Sequence, residues 1–410
     1  MTRTRICFIV FGFPPEYSGA TLHALEFGEF LKAKGCDLIF LSHCEQEKLA
    51  GQSSYNGYRV VRFVRRLDAQ KNLSKYHLRL MLRLLRLRRE FDIIYLNGNP
   101  GQFWTPFYVI LFGKLFKKKV FVELNMEYKP DPLCIKGTRF ASLKSWVATL
   151  AAGYVSLSSA ITQSLKAQHL PQHLLIHSPN GVNTERFKPL GDDKEKRQLR
   201  QRLGLPPDKK ILITVGAIVK RKGIDFLLDV FKDVVCKHDN VLFVLIGPYE
   251  GFGVDEPFAQ QMRASAQTKS LRDKVWFKGS VENVQEYLQA SDIFVFAGRQ
   301  EGSPNSIREA MACGLPAISL HLSGCTGDMI DSGANGFLID VTNKQELEDY
   351  TNHEINDRNC KQQFVGRVIE VLRTPELRGS VGKRAAGKIV QTFSMRKRAE
   401  FLASVMGDST

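Results

Sequence analysis

Short runs of β-branched and aromatic residues alternate with stretches of helical pattern along most of this chain, and this alternation limits the folds open to it. Most runs are apolar throughout, which is typical of strands buried on both faces of a sheet. In the first part of the chain, strands are predicted at 6–11, 37–42, 59–64, 92–96, 120–124, 154–158 and 174–177. Because strands separated by helices build parallel sheets covered by helices, we predict an α/β fold.

A charged stretch at 188–210 interrupts the alternation, and its low apolar content is typical of a surface helix on a connection between domains. The alternation then restarts, with strands predicted at 211–215, 241–246, 275–278, 293–296, 317–320 and 336–340. The sequence therefore predicts two doubly wound domains, at 1–185 and 186–382. A helical segment at 383–410, which carries no strand pattern, is expected to pack back toward the first domain.

The distribution of cysteine, apolar and charged residues excludes several classes of protein. The eight cysteines are scattered without a Cys-x-x-Cys pair, so we expect neither a zinc site nor a disulfide framework, and we expect a reduced, cytoplasmic location. No apolar run is long enough to cross a bilayer, so no membrane span is predicted. The net charge of +16 indicates an anionic partner, whether nucleic acid, phosphorylated ligand or membrane surface.

The most informative motif, RQEGSPNSIREAMACGLP, occupies 299–316 and follows a predicted buried strand. Ser303 is a good N-cap residue and Pro304 suits the first helical position, so a helix is predicted over 304–313. The unpaired N–H groups and the positive dipole end of such a helix form a site for an anion. The motif therefore predicts an anion site at the carboxyl edge of the second sheet.

Two carboxylates flank this predicted anion site. Glu301 precedes the helix and Glu309 lies on it, so each can accept hydrogen bonds from a ligand on its own side of the anion. Carboxylates suit hydroxyl groups and would repel a second phosphate. A ligand with a phosphate core and hydroxyl groups on either side is, most simply, a nucleotide sugar.

At these residues the sequence resembles the retaining glycosyltransferases of family 4, whose signature has two glutamates separated by seven residues. The surrounding family pattern, Glu-Gly-aromatic-Pro-Asn followed by Glu-Ala-Met-Ala-Cys-Gly-x-Pro, is reproduced with Ser303 in place of the aromatic residue. The resemblance implies that Glu309 holds the ribose hydroxyls and that Glu301 contacts the transferred sugar. It also implies that backbone amides near the helix start face the sugar and the diphosphate, which adds as donor-binding residues Gly302, Ser303, Pro304, Asn305, Ser306 and Ile307.

Two further loops match the family pattern in the expected order. The loop at 13–23 resembles the glycine-rich loop that approaches the diphosphate, with Gly19 retained and serine at the position before it. The segment at 215–225 resembles the element that clamps the phosphates, and Lys222 matches the lysine that neutralises the leaving group. Alanine stands at 217, where the family often has arginine, so either Arg221 or Lys220 supplies the second charge or the leaving group is held less tightly.

The resemblance implies the GT-B architecture, in which two Rossmann-like domains face each other across a donor and acceptor cleft. The first domain then belongs to the acceptor side and the second binds the nucleotide sugar. The implied activity is metal-independent, retaining transfer of a hexose from a nucleotide-diphosphate sugar, with no cofactor required and with Glu301 and Lys222 as catalytic residues. The implied acceptor is a saccharide or a lipid-linked saccharide in cell-envelope or exopolysaccharide synthesis.

Two alternatives remain open at this point, a nucleotide-sugar epimerase of the same architecture and a degenerate, non-catalytic partner protein. The second is kept open by the missing arginine and by Asn125, which stands where many relatives have a histidine. Glu123 and Glu127 could compensate for that histidine, although a structural role for each fits equally well. His23 is the histidine to follow, although a core-facing position on a helix is the commoner outcome.

A basic segment at 59–90, with eleven Lys or Arg against two acids, contributes much of the net charge. Its cations fall on one helical face, and leucines at 73, 80, 84 and 87 fall opposite. The residues proposed to meet an acceptor or a membrane are Lys75, Arg79, Arg83 and Arg86. This face predicts either attraction to an anionic membrane, which would place the protein peripherally on its cytoplasmic side, or a solvated surface. Aromatic residues are not interleaved with the cations, so nucleic acid is not the expected partner.

Overall fold

A computed structural model of the 410-residue chain describes residues 3–16, 19–64, 73–98, 103–126, 131, 133–251, 254–341 and 357–408. The chain forms two compact units. The first unit comprises Met1–Gly181 together with Met395–Thr410, and the second comprises Val182–Ser394. The predicted boundaries were 185/186 and 382/383. The second predicted boundary falls inside the helix Pro375–Thr392, which continues to the end of the second unit.

The strands lie within two residues of every predicted position, and one further strand is present. In chain order they are β1 (Arg5–Val10), β2 (Asp37–Cys44), β3 (Gly51–Tyr55), β4 (Tyr58–Val64), β5 (Ile93–Asn97), β6 (Lys119–Leu124), β7 (Gly153–Ser156), β8 (Leu175–His177), β9 (Lys210–Val215), β10 (Val241–Ile246), β11 (Val275–Gly279), β12 (Ile293–Phe296), β13 (Ala317–Leu320) and β14 (Gly336–Ile339).

The helices of the described residues connect these strands and cover both sheets. In chain order they are α1 (Gly19–Ala33), α2 (Leu73–Leu87), α3 (Trp104–Leu115), α4 (Ala141–Ala148), α5 (Ser159–Lys166), α6 (Asp193–Arg202), α7 (Ile224–Lys237), α8 (Glu256–Ser265), α9 (Val284–Ala290), α10 (Asn305–Ala312), α11 (Arg358–Arg373), α12 (Pro375–Thr392) and α13 (Met395–Asp408). The predicted surface helix of the charged connection is α6, whose N-cap Asp192 accepts a hydrogen bond from the Glu195 amide.

The sheet of the first unit has eight strands in the order β3-β4-β2-β1-β5-β6-β7-β8. All neighbouring pairs are parallel except β3 with β4, which form an antiparallel hairpin at the edge. The sequence analysis missed β3 because its residues Gly51–Tyr55 are polar and mostly exposed. The turn signal was nevertheless present, since Asn56 and Gly57 both have positive φ, as the tightest hairpin turns require.

Helices cover the two faces of this sheet separately. The chain runs from β1 to β2 in one direction across the sheet and from β4 to β5 and onward in the other, so right-handed connections put α1 on one face and α2 to α5 on the opposite face. In agreement, α2 packs against α3 and α3 against α4, whereas α1 packs against the C-terminal helix α13. Phe8, Phe40 and Tyr95 lie at the centre of the core, with ring centroids of Phe8 5.3 and 5.0 Å from the other two.

The sheet of the second unit has six parallel strands in the order β11-β10-β9-β12-β13-β14. Its strands are largely buried, as the apolar runs predicted, except for the edge strand β11, in which only Val275 is buried. The strand order reverses between β9 and β12, which are neighbours in the sheet but are far apart in the chain. Ligands of open α/β sheets bind beside the carboxyl ends of the strands at such a reversal.

Candidate functional site

The loops that follow β9 and β12 begin side by side at the reversal of strand order in the second unit. After β9 the chain forms a single 3-10 turn, Lys220–Lys222, and Gly223 follows with φ of +65°. A β-carbon on Gly223 would lie 2.1 Å from the Ala297 carbonyl oxygen, just past β12. Only glycine therefore allows this turn to rest directly on the end of β12.

Arg299 fastens the two loops to each other. Its backbone N–H donates to the Arg221 carbonyl oxygen at 2.8 Å, and its guanidinium NH2 lies 2.6 Å from Oδ2 of Asp225 in the first turn of α7. The side chain of Arg299 is fully buried, so this ion pair is shielded from water. The sequence analysis did not single out either residue, because a buried pair between distant segments leaves no local pattern.

The two loops bring the predicted catalytic residues together. The Lys222 ammonium lies 2.6 Å from Glu301 Oε1, and the Arg221 guanidinium lies 2.8 Å from the same oxygen. Glu301 is only 10% exposed, whereas Arg221 is 44% exposed. Arg221 thus provides a second cation beside Lys222, although alanine occupies position 217.

The helix after Glu301 starts one residue later than predicted. Pro304 is the residue before the helix and α10 begins at Asn305, so the prediction of Ser303 as N-cap is wrong. The reason is the buried guanidinium of Arg308, whose NH2 donates to the hydroxyl and the carbonyl of Ser303 at 2.9 and 3.0 Å and to Oδ1 of Asn305 at 2.9 Å. Arg308 thus holds the loop before the helix in place of a cap. Of the other predicted donor residues, Gly302 lies buried in this loop, and Ser306 and Ile307 lie buried in the first turn of α10.

Glu309 lies on α10, and its carboxylate accepts no hydrogen bond from the residues that the structure describes. Burial raises the pKa of Glu309, against the opposing effects of Arg186, Arg308 and Lys222. Arg186 is itself held by Gln285 Oε1 at 2.9 Å. The Glu309 carboxylate is thus a half-buried hydrogen-bond acceptor near three cationic side chains, and it suits the hydroxyl groups of a ligand.

Gly19 belongs to the first unit, whereas the other predicted donor residues belong to the second. It is the first residue of α1, beyond the carboxyl end of β1. Apart from its chain neighbours and its own helix, no atom of the described residues lies within 4 Å of the position that a β-carbon would occupy. In the same turn, the Thr21 hydroxyl donates to the Gly12 carbonyl oxygen at 2.9 Å. The backbone at Gly19 therefore has open space beside it.

Glu123 has a structural role, at the centre of a buried polar cluster in the first unit. Its carboxylate accepts hydrogen bonds from Tyr95 Oη and Asn97 Nδ2, each at 2.6 Å, and it pairs with Arg398 of α13. His23 lies in the same cluster, and its Nε2 is 3.2 Å from the Gly181 carbonyl oxygen. It therefore faces the core, which is the commoner of the two positions considered from the sequence. Glu127 lies outside the described residues. The sequence analysis missed Arg398 because nothing in its local pattern distinguishes it from the surface cations of a helix.

Three of the four leucines predicted to lie opposite the cations of α2 can be placed, and the side chain of Leu73 lies outside what the structure describes. Leu80, Leu84 and Leu87 are buried against the sheet, and the side chains of Lys75, Arg79 and Arg86 are exposed, with Arg83 half-buried. The Arg79 guanidinium donates to the Val64 carbonyl oxygen at 2.7 Å. The sequence analysis did not anticipate that three further leucines, Leu78, Leu82 and Leu85, would be exposed beside the cations.

No three His, Cys, Asp or Glu side chains within the described ranges come together in a way that could hold a metal ion. None of the helices in that part of the chain is both long and apolar enough to cross a membrane.

Comparison with known proteins identifies the family. Residues 17–186 match the model of Glycosyltransferase Family 4, and residues 195–370 match the model of Glycosyl transferases group 1. Spore coat protein SA of Bacillus subtilis is 28% identical over 334 residues, which are 78% of each chain. The lipopolysaccharide core biosynthesis mannosyltransferase LpsB of Rhizobium meliloti is 26% identical over 46% of this chain and 52% of its own, so the chain matches about half the length of that relative.

The fold also has close counterparts among solved structures. Anabaena HepE, crystallised with UDP and glucose, superimposes with a TM-score of 0.74 over 99% of this chain and all of its own, at 16% identity. At that identity the likeness concerns the fold, which is the two-domain GT-B fold. With both family models and the fold in agreement, this chain belongs to the group 1 glycosyltransferases of GT-B architecture.

Proposed function

We propose that the second unit binds a nucleoside-diphosphate hexose and that the enzyme transfers the hexose, with retention, to a saccharide or lipid-linked saccharide of the cell envelope. The observation that carries this proposal is the cluster of Lys222, Arg221 and Glu301 at the reversal of strand order, followed by Glu309 on α10. Relatives that build lipopolysaccharide and a structural counterpart crystallised with UDP and glucose support the choice of donor and acceptor class.

Each side chain of the cluster has a role that follows from its charge. Lys222 and Arg221 neutralise the diphosphate, on which negative charge develops as the bond from the anomeric carbon to the phosphate oxygen breaks. Glu309 accepts hydrogen bonds from the ribose hydroxyls, and Glu301 accepts them from hydroxyls of the sugar. The acceptor oxygen bonds to the anomeric carbon on the face that the diphosphate leaves, and its proton passes to the departing phosphate.

Charge stabilisation by protein side chains is sufficient for the departure of the diphosphate in this scheme, so we propose that no metal ion is required. The amides at the start of α10 add to the positive potential, since the end of a helix favours negative charge. The reaction consumes only the donor and the acceptor hydroxyl, and it releases a nucleoside diphosphate.

A thermal-shift screen of the purified protein with UDP, GDP, ADP and TDP tests this proposal. A ligand at 100 times its Kd should add ~2.7 kcal/mol to the free energy of unfolding, which is readily measured. One nucleotide is expected to stabilise the wild-type protein and to stabilise the Glu309→Gln variant much less. If none of the four nucleotides raises the unfolding temperature, the donor site is refuted.

We also propose that the protein works at the cytoplasmic surface of a membrane, where lipid-linked acceptors are presented. The four cations of α2 support this location, because each basic side chain near an anionic surface contributes about 1 kcal/mol of attraction. Such attraction is screened by salt. Binding to anionic vesicles is therefore expected at low ionic strength, and its absence there would contradict the proposed location.

A further inference from the structure

One helical layer of the first unit contains no acidic residue. The helices α2, α3 and α4 are neighbours on one face of the sheet, and none of their sequences includes an Asp or a Glu. The helices on the opposite face differ, since α1 carries Glu26 and Glu29 and α13 carries Glu400. We call α2, α3 and α4 the acid-free layer. Its outer surface is cationic wherever it is charged, which is the complement of an anionic surface.

The acid-free layer also exposes large apolar side chains on each of its three helices. On α2 these are Leu78, which is 60% exposed, Leu82 and Leu85. On α3 the most exposed is Leu115, and α4 presents Leu143 and Trp146, which is 57% exposed, just after the exposed Phe140. Exposed apolar side chains scattered singly are normal on a protein surface, but a series on neighbouring helices is typical of an interaction surface.

The apolar and cationic side chains of α2 lie next to each other along the helix. Each exposed leucine is followed by an arginine, giving Leu78 with Arg79, Leu82 with Arg83 and Leu85 with Arg86. All three arginines and Leu82 line a groove of about 280 Å³, whose other lining residues are Phe63 and Val64 of β4 and Glu47 and Ala50 before β3. With three arginines against the single carboxylate of Glu47, the groove is cationic on balance, and together with Leu82 it suits a phosphate group attached to a hydrocarbon chain.

We propose that the acid-free layer is the surface by which the protein docks on a leaflet of anionic phospholipid, with Leu143 and Trp146 of α4 entering the headgroup region. This inference rests on the proposed function in one respect, that the acceptor is presented at a membrane. Tryptophan favours the interface between lipid and water, because its ring is apolar and its N–H is polar. The α2 cations provide attraction to the phosphates and the α4 side chains provide apolar burial, which salt does not screen.

Co-sedimentation with vesicles tests the docking surface. The protein is expected to bind vesicles of phosphatidylcholine mixed with phosphatidylglycerol and not vesicles of phosphatidylcholine alone. The triple change of Arg79, Arg83 and Arg86 to Gln should weaken binding about a hundredfold, at about 1 kcal/mol for each cation. The double variant Leu143→Ser and Trp146→Ser should weaken it about tenfold and leave the residual binding more sensitive to salt.

Phe401 provides the matched control. It is 45% exposed on α13, in the same unit but on the opposite face of the sheet, so Phe401→Ser removes a comparable apolar side chain from outside the acid-free layer. Binding of this variant should equal that of the wild-type protein. If Phe401→Ser weakens binding as much as the α4 double variant, or if neither set of variants in the acid-free layer weakens it, the proposed surface is wrong.

Fluorescence distinguishes insertion from contact by charge alone. Vesicles should shift the tryptophan emission of the wild-type protein to shorter wavelength, and the shift should disappear in Trp146→Phe. An unchanged shift in that variant would exclude Trp146 from the lipid. A stable dimer in solution that Trp146→Ser dissociates would assign the layer to a second copy of the chain and would also overturn the proposal.

The nucleotide screen separates this inference from the proposed function. Variants of the acid-free layer should keep the unfolding temperature of the wild-type protein and its stabilisation by nucleotide. Every predicted donor residue except Gly19 belongs to the other unit, and Gly19 lies on α1, on the opposite face of the sheet from the acid-free layer. Failure of vesicle binding with intact nucleotide binding would reject the docking surface and the proposed membrane location, and it would leave the donor site standing. Failure of nucleotide binding in the wild-type protein would reject only the donor site.

Discussion

At the scale of single residues, the carboxylate of Glu301 already holds both of the cations that we propose for the diphosphate. Lys222 and Arg221 lie 2.6 and 2.8 Å from one of its oxygens, so an arriving phosphate competes with Glu301 for them. In the proposed function this pairing keeps the cations in place before the donor binds. Once the phosphates bind the cations, Glu301 is released to accept hydrogen bonds from sugar hydroxyls.

We predict that Glu301→Gln separates turnover from nucleotide affinity. Turnover should fall by about two orders of magnitude, the usual cost of removing one group that stabilises the transition state. Affinity for the free nucleoside diphosphate should rise, because Lys222 and Arg221 lose their competing carboxylate. Steady-state kinetics and calorimetric titration with the nucleotide measure the two effects.

The control for this prediction is Lys222→Met, which removes the phosphate-side cation and keeps a side chain of similar length. This variant should lose nucleotide affinity as well as turnover. If Glu301→Gln and Lys222→Met lose nucleotide affinity to the same degree, Glu301 acts on the nucleotide and its assignment to the sugar is wrong.

Glu309 should make both nucleotide binding and stability depend on pH. Burial raises its pKa above the ordinary 4.5, so ionisation of Glu309 destabilises the folded protein above the folded-state pKa and has no effect below 4.5. Glu309→Gln is therefore expected to be more stable than the wild-type protein at neutral pH and equally stable in acid. Denaturant titration at a series of pH values measures this difference.

The same substitution should weaken nucleotide binding by a factor of about 10 to 100, since hydrogen bonds to a charged acceptor contribute about 1.5–3 kcal/mol. Wild-type affinity should fall as Glu309 becomes protonated, and the affinity of Glu309→Gln should remain flat over that range. A wild-type affinity that does not change with pH, together with a tight-binding variant, would remove Glu309 from the donor site.

At the scale of helices and strands, the sequence predicted what short-range patterns encode. Every predicted strand is present because burial on both faces demands continuous apolar runs, as in β10 (Val241–Ile246). The polar edge strand β3 (Gly51–Tyr55) was missed because a mostly exposed edge strand does not require a continuous run of apolar residues. The N-cap of α10 was predicted wrongly because the buried Arg308 takes the Ser303 hydroxyl, and that contact becomes visible only in three dimensions.

In the candidate site, too, residues within a local motif could be predicted from the sequence, and contacts between distant segments could not. The two glutamates were predicted from one continuous motif, and Lys222 and Arg221 from the resemblance to family 4. The structure brings Glu301 together with both cations. The pair of Arg299 with Asp225, which fastens those loops, and Arg398, which engages Glu123, were not found. Each is a contact between segments far apart in the chain, so the local sequence carries no signal for it.

The turn that carries Lys222 should depend on Gly223 through close packing as well as backbone conformation. Gly223 and Gly204 both have φ of +65°, but a β-carbon at Gly223 would meet the Ala297 carbonyl oxygen at 2.1 Å. A β-carbon at Gly204 would meet no atom of the described residues within 4 Å beyond its chain neighbours. Gly204→Ala should cost about 1 kcal/mol of unfolding free energy from the backbone alone and leave nucleotide affinity unchanged.

Gly223→Ala carries the same backbone cost and must also push the turn away from β12. It should therefore lower nucleotide affinity at least about tenfold, since the turn moves the two phosphate-side cations with it. Nucleotide titration of both variants checks this. Equal nucleotide affinity in Gly223→Ala and Gly204→Ala would show that the position of the turn does not matter for binding.

At the scale of the whole molecule, the two units differ in how the chain builds them. The second unit is one continuous segment, Val182–Ser394, closed by a hydrogen bond from the Val182 N–H to the Phe393 carbonyl oxygen. The first unit needs two segments, because α13 buries Met395, Ala399, Leu402 and Met406 in the core of the first unit. Arg398 of α13 also neutralises the buried Glu123.

We therefore predict that the two units behave differently when they are produced alone. A fragment of residues 182–394 should unfold cooperatively and be stabilised by the same nucleotide as the full chain, since it holds every predicted donor residue except Gly19. A fragment of residues 1–181 should not unfold cooperatively, because a buried carboxylate left without its partner costs about 3–5 kcal/mol and the apolar contacts of α13 are lost as well. Joining residues 395–410 by a flexible linker to the end of the 1–181 fragment should restore cooperative unfolding. The same fusion carrying Arg398→Met should restore it less. Circular dichroism during thermal unfolding follows all four proteins, and a cooperative transition in residues 1–181 alone would show that α13 is an appendage and has no essential place in the core of the first unit.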